Sequence, residues 1–317
     1  MNGQDLGLGI LLWSQATDWP EFETTARRVD RLGYDHLWTW DHLYAIFGDP
    51  YQPIYEGWAS ITAWAQVTAR VRIGLMVGAN TFRNPGLVAK MATTLDHISG
   101  GRAILGLGGA WHTLEHHAHG IDFGRSAGQR LDWLDEAVGI VRALLDGDEV
   151  TSPGPRYAVT GLRHHPLPIQ RHLPIVIGGS GERKTLRTVA KYADMWNAFG
   201  TVETLRRKIE VLHAHCEDVG RNPDEIELTV GCKPVIRDTE ADARKVWEAQ
   251  MAHNRTPMSD VQDDESFWVG TPARLAETIA ALRDIGFATV IAEMAAPYDV
   301  ETLERLIGEV KPMALAG

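Results

Sequence analysis

Cysteine is scarce: the 317 residues contain two, Cys216 and Cys232. They show neither pairing nor metal-ligand spacing, which argues against a disulfide scaffold and fits a reducing, cytoplasmic setting. Long apolar runs are missing as well. None approaches the roughly 20 residues that span a bilayer, so no membrane partner is expected. The N-terminus lacks a basic stretch followed by an apolar core, so no secretory signal is expected either. Positive charge is in deficit, with 31 Lys and Arg against 42 Asp and Glu and a net charge of −11. That sign argues against nucleic acid or an anionic membrane as a partner. What remains is an ordinary soluble composition, 44% hydrophobic and 23% charged, in a chain whose length suits one α/β barrel.

Residues 71–120 carry the most information. Val71–Val77 is a short apolar run of strand type. Asn84 stands where a helix N-cap belongs, with Pro85 at the first helical position. Val88, Met91, Leu95 and Ile98 repeat at helical spacing until Gly100 and Gly101 stop the pattern. Ala103–Leu107 is the next strand and runs into Gly108 and Gly109. Small residues at both strand ends, Gly78–Ala79 and Gly108–Gly109–Ala110, allow a flat ligand to approach the backbone. This is a βαβ crossover built for a cofactor.

The same unit recurs throughout. Strands are expected at Leu6–Leu12, His36–Trp40, Pro174–Ile177, Asp194–Ala198, Glu225–Val230 and Ala288–Ala292. Helices are expected after Asp18, over Gly57–Ala69, over Gln129–Leu145, from Glu182, through Leu205–Leu212 and after Thr271–Pro272. Eight strands alternating with helices predict a (β/α)8 TIM barrel, one domain over residues 1–317. Two segments break the rhythm: a Pro-rich, hairpin-like insertion near 148–170 and a polar, acidic loop near 253–268.

Asp41–His42 follows the second strand, at the catalytic rim of such a barrel. Histidine there suits proton transfer near neutral pH. Gly178–Gly179–Ser180–Gly181 lies between a strand and a helix start, where exposed amides form an anion site for a phosphate. Arg183, Lys184 and Arg187 follow, at least two of them as solvated helix residues. Trp13, Trp40 and Tyr44 fall near rim positions and are candidates to line an apolar substrate pocket. His112, Glu115, His116, His117 and His119 invite a metal reading, but HEXXH is absent and no third ligand stands out, so no metal is expected. Glu115 takes a local capping or pairing role instead.

The Leu75–Gly78 strand end, the NPGLVAKMATTLDHISGGR helix and its stop, and the GLGGAWHTLEHHAHG turn resemble the luciferase-like monooxygenase family. PIVIGGSGERKTLRTVAKYADMWN extends the likeness, which is closest to the branch using the deazaflavin coenzyme F-420. The resemblance implies an oxidoreductase that transfers a hydride between this coenzyme and a small organic substrate. It implies a homodimer and a separate reductase that regenerates the reduced cofactor. It also implies a non-proline cis peptide at Met76–Val77 behind the ring, Asn80 near the ring edge, and coenzyme contacts from Asp41–His42, Gly108 and Gly109. Where a deazaflavin sugar dehydrogenase type carries an acidic catalytic residue, this chain has Trp111, which the resemblance makes an apolar wall of the coenzyme site and which argues against a sugar-phosphate substrate. Two other readings stay open on sequence: an FMN-dependent monooxygenase and a non-catalytic flavin-binding protein.

Overall fold

Residues 6–316 are described by the computed structural model; the ends of the expected domain, residues 1–5 and 317, lie outside the described residues. Eight parallel strands follow one another around a barrel: β1 (Gly7–Leu12), β2 (His36–Thr39), β3 (Arg72–Leu75), β4 (Leu105–Gly108), β5 (Ile175–Gly178), β6 (Met195–Ala198), β7 (Glu227–Ile236) and β8 (Thr289–Met294). β8 pairs with β1, as in Leu11↔Glu293. The seam between β3 and β4 closes through Ile104 N–H donating to Ile73 O at 2.9 Å. Beyond Leu75 the chain resumes as Gly78–Ala79, which pairs with Leu107 and Gly108.

Strand parity separates two cores. Leu8, Ile10 and Leu12 of β1 pack outward with Phe22, Ala26 and Val29 of helix α1 (Trp19–Leu32). Leu11 and Trp13 belong to a second cluster with Trp38, Trp40, Ile104, Val176 and Ile291 inside the barrel. Burial on both faces explains why the strands read as apolar runs rather than as a polar–apolar alternation.

The helix signals act as their chemistry dictates. The Asp18 carboxylate accepts from Glu21 N–H at 2.8 Å, and Gly33 closes α1 in the left-handed region at φ +91°. Helix α2 spans Gly57–Val67. Asn84 caps helix α3 (Pro85–Ser99) by accepting from Gly86 N–H at 2.8 Å, and Gly100 ends it at φ +69°. Helix α4 (Thr113–Ala118) is short, and α5 covers Ala127–Leu145.

Several boundaries differ from expectation. The helix expected from Glu182 begins at Thr185 (α6, Thr185–Tyr192), because residues 182–184 form a turn. β7 runs on to Ile236, where a short strand, Phe267–Gly270, pairs in parallel with Lys233–Ile236. Between them lies a helix the sequence reading missed, Glu240–His253. The 253–268 segment holds a 3-10 turn at Met258–Asp260 and ends in that added strand. Within 148–170, Val150–Ser152 pairs antiparallel with Val159–Leu162. Among the described residues, no helix is long and apolar enough to cross a membrane.

Candidate active site

The C-terminal strand ends surround a cavity of about 500 Å³. Inward parity brings Trp40, Gly108, Gly178, Asn197, Lys233 and Glu293 to its floor, one from each of six strand ends. This is the face on which (β/α)8 enzymes build their sites.

The Met76–Val77 peptide is cis, as the resemblance implies. Val77 lines the cavity between two glycines. A Cβ on Gly108 would lie 2.6 Å from Val77 Cγ2, and one on Gly178 would lie 2.9 Å from the same atom. Those contacts are too short for a real side chain, so both glycines are needed to seat Val77.

Asp41 is buried. Its carboxylate receives two hydrogen bonds from Arg83, at 2.6 and 3.0 Å, and one from Ala79 N–H at 2.9 Å. Arg83 also reaches Glu56 at 2.8 Å. Burial disfavours the Arg83 charge, yet Asp41 and Glu56 overcome it and hold the guanidinium above its usual value. Asp41 therefore braces the strand end after the cis peptide; burial lifts its carboxyl above the usual range, against the opposing pull of Arg83 and the Ala79 amide.

His42 lines the cavity, and its Nδ1 lies 3.0 Å from Glu115 Oε1. Glu115 comes from α4, 73 residues away, and also accepts from Leu43 N–H at 2.8 Å. Burial works against the Glu115 charge, but hydrogen bonding and charge from His42 hold its carboxyl below the usual range. A carboxylate only accepts, so His42 Nδ1 carries the proton and Nε2 remains for the cavity. Trp111, 60% exposed, stands edge-on to His42 at a centroid distance of 5.4 Å.

The other histidines of α4 are occupied differently. His116 Nδ1 donates to His112 O at 2.7 Å, and its Nε2 accepts from the Thr81 hydroxyl at 2.6 Å. Burial lowers its pKa, which keeps the ring neutral.

At Gly178–Gly181, Gly179 takes φ +117° and its N–H donates to Asn197 O at 3.1 Å. The α6 start has no side-chain cap. Gly178, Gly179, Ser180 and Thr185 line the cavity, which brings the uncapped start of α6 to its wall. Lys184 is committed to Asp132 at 2.6 Å, whereas Arg183 and Arg187 are exposed.

Four expected site residues do not line the cavity. Asn80 is buried and donates to Tyr157 Oη at 3.3 Å. Gly181 packs against Thr185. Trp13 lies behind the wall, stacked on Phe47 at 4.2 Å. Tyr44 packs on Tyr51 and His119, outside the cavity. Three titratable lining residues fell outside the expected site: Glu115, expected only to cap or pair locally, and Lys233 and Glu293, which were not singled out at all. The last two had a signal in the sequence, since each is a charge of inward parity set among apolar residues toward the C-terminal end of its strand.

A protein of unassigned function from Mycobacterium tuberculosis is 33% identical over 148 residues, 47% of this chain and 51% of its own length. The chain thus spans about half the length of the curated relatives it matches first. An F-420-dependent glucose-6-phosphate dehydrogenase from Microbacterium testaceum is 27% identical over 305 residues, 89% of each chain. Among solved structures, an F-420-dependent secondary alcohol dehydrogenase holding an F-420–acetone adduct superposes with a TM-score of 0.83 at 20% identity, covering 98% of this chain and 99% of the other. The FMN-bound oxygenating constituent of 3,6-diketocamphane monooxygenase from Pseudomonas putida gives 0.74 at 18% identity, covering 97% and 98%. At such identities the two structures establish the fold alone. The model of the luciferase-like monooxygenase family matches residues 7–289, and the chain belongs to that family.

Proposed function

We propose that this chain is a coenzyme F-420-dependent oxidoreductase acting on a small organic substrate. The observation that carries the reading is His42, fixed at Nδ1 by the buried Glu115 and left with Nε2 at the cavity. Hydride exchange with a carbonyl or alcohol needs one proton moved at the reacting oxygen, and an imidazole serves that need near neutral pH.

The residues present fit the coenzyme. Val77, seated on Gly108 and Gly178, offers an apolar surface for a flat ring, and Ser180 with the uncapped α6 start at Thr185 stands at the wall for a phosphate. When bound, the coenzyme supplies hydride chemistry with little oxygen activation, its ring carrying carbon where a flavin carries its central nitrogen. The chain's own residues manage position and protons. His42 gives up or takes a proton at Nε2, Glu115 steadies the imidazolium, and Trp40, Phe47 and Trp111 give the cavity apolar walls.

Titration of the purified protein with F-420 and, separately, FMN tests this through ligand fluorescence. Micromolar F-420 binding with feeble FMN binding is expected. Tight binding of FMN alone overturns the reading in favour of an FMN-dependent monooxygenase.

A further inference from the structure

The cavity floor holds two titratable side chains that this reaction leaves without a role, Glu293 and Lys233. Cys232 pairs with Ala292, so the next step along β7 and β8 sets Lys233 and Glu293 on neighbouring strands at the same level. Glu293 is 8% exposed. Among the described residues its side chain has one hydrogen bond, from Trp13 Nε1 to Oε2 at 3.1 Å. Stacking on Phe47 fixes that indole. Oε1 is left to the cavity.

Among the described residues Lys233 forms no hydrogen bond or ion pair with this carboxyl. Its ammonium donates to Ser266 Oγ at 2.5 Å and lies 3.4 Å from Asp264 Oδ2. The rings of Phe199 and Phe267, each 5.0 Å away, occupy more of its surroundings. The cation is thus balanced by its own neighbours, and Glu293 stands as an unpaired acid in an aromatic chamber.

We propose that Glu293 is a specificity-determining residue: its free Oε1 anchors an uncharged substrate oxygen, a ketone carbonyl or an alcohol hydroxyl, and turns away carboxylates and phosphates. The inference rests on the cavity being the substrate site of the oxidoreductase proposed above. Burial lifts the Glu293 carboxyl above its usual range, Asp264 pushes the same way, and Lys233, the Trp13 indole and His42 oppose them. In its acid form the group donates to a carbonyl; in either form it accepts from a hydroxyl. Where Glu293 is ionised, an anionic ligand would bring another negative charge beside it and Asp264 with the single ammonium of Lys233, already engaged by Asp264 and Ser266, to balance them, a repulsive element that discriminates between substrates.

The test uses the full chain and three probes of one ring skeleton: cyclohexanone, cyclohexanol and cyclohexanecarboxylate, titrated calorimetrically. The wild type is expected to bind the ketone and the alcohol at least about tenfold more tightly than the carboxylate. Glu293→Gln, which keeps the shape and hydrogen bonding, should hold ketone affinity and bring the carboxylate within about threefold of it. Glu293→Leu should weaken the ketone about tenfold. Equal wild-type affinity for ketone and carboxylate, no binding of any probe, or an unchanged ketone affinity in Glu293→Leu overturns the assignment. F-420 titration of the same proteins keeps the two claims apart: failure of the wild type to bind F-420 strikes the proposed function, whereas probe selectivity reads Glu293 alone.

Discussion

His42 and Glu115 form one unit, with Nδ1 at 3.0 Å from Oε1 and the Leu43 N–H at 2.8 Å from Oε2 of the same carboxylate. The acid therefore holds both the imidazole and the backbone just after it. Removing the ring should cost the proton-transfer contribution, about 10²- to 10⁴-fold in rate, and Glu115→Gln should fall between that variant and the wild type. Stopped-flow oxidation of reduced F-420 by a carbonyl acceptor measures both. F-420 affinity should stay within about threefold, since neither group carries the ring or phosphate seat. A Glu115→Gln protein reacting at the wild-type rate would refute the positioning role.

Asp41 and Arg83 make a buried pair whose partners depend on each other. Arg83→Met leaves the Asp41 carboxylate with only the Ala79 amide, and breaking such a pair costs about 3–5 kcal/mol. Asp41→Asn combined with Arg83→Met removes the stranded charge, so the double variant should recover a substantial part of that loss. Urea unfolding of the two single variants and the double variant gives the coupling. Strictly additive losses would mean that the pair does not act as a pair.

Val77 and the glycines facing it predict a rescue. Gly108→Ala places a methyl group 2.6 Å from Val77 Cγ2 and forces the side chain out of its seat. F-420 affinity should drop about tenfold or more, with a thermodynamic cost of about 1–3 kcal/mol typical of overpacking. Val77→Ala added to Gly108→Ala removes the clashing methyl and should restore stability. If the double variant is as unstable as Gly108→Ala, the strain comes from elsewhere.

Much of this was legible because period and punctuation are local. Asn84, Pro85 and Gly100 announce α3 by satisfying or avoiding terminal backbone groups, and β strands declare themselves by apolar runs. The rim position of Asp41–His42 follows from the barrel itself. What the sequence hid is the meeting of distant segments. Nothing near Glu115 indicates that α4 folds back onto the residue after β2. Lys233 and Glu293 required the strand register, and only parity along ELTVGCKPVI and TVIAEM hinted at their inward direction. The late start of α6 at Thr185 escaped because glycine and charge both suit a turn and a first helical turn alike.

His36 supplies a pH prediction that is independent of the cofactor. It lies on β2 inside the lower barrel, edge-on to Trp38, with Nδ1 buried and without a hydrogen-bond partner among the described residues. Burial, helped by Arg72 and opposed by Asp35, pushes its pKa from 6.5 down to about 4. Above the ordinary value both folded and unfolded chains hold the ring neutral, and the stability is fully present. As pH falls below it, the unfolded chain takes up a proton that the folded chain refuses until the lower value is reached. Stability is therefore lost across that interval, by about 3 kcal/mol from this group alone. Other carboxylates titrate nearby, so the difference between wild type and His36→Met is the quantity to follow. Urea unfolding at about pH 7 and about pH 4.5 should show the wild type losing more stability than the variant on acidification. Parallel losses in the two proteins would mean that His36 is protonated in the folded barrel.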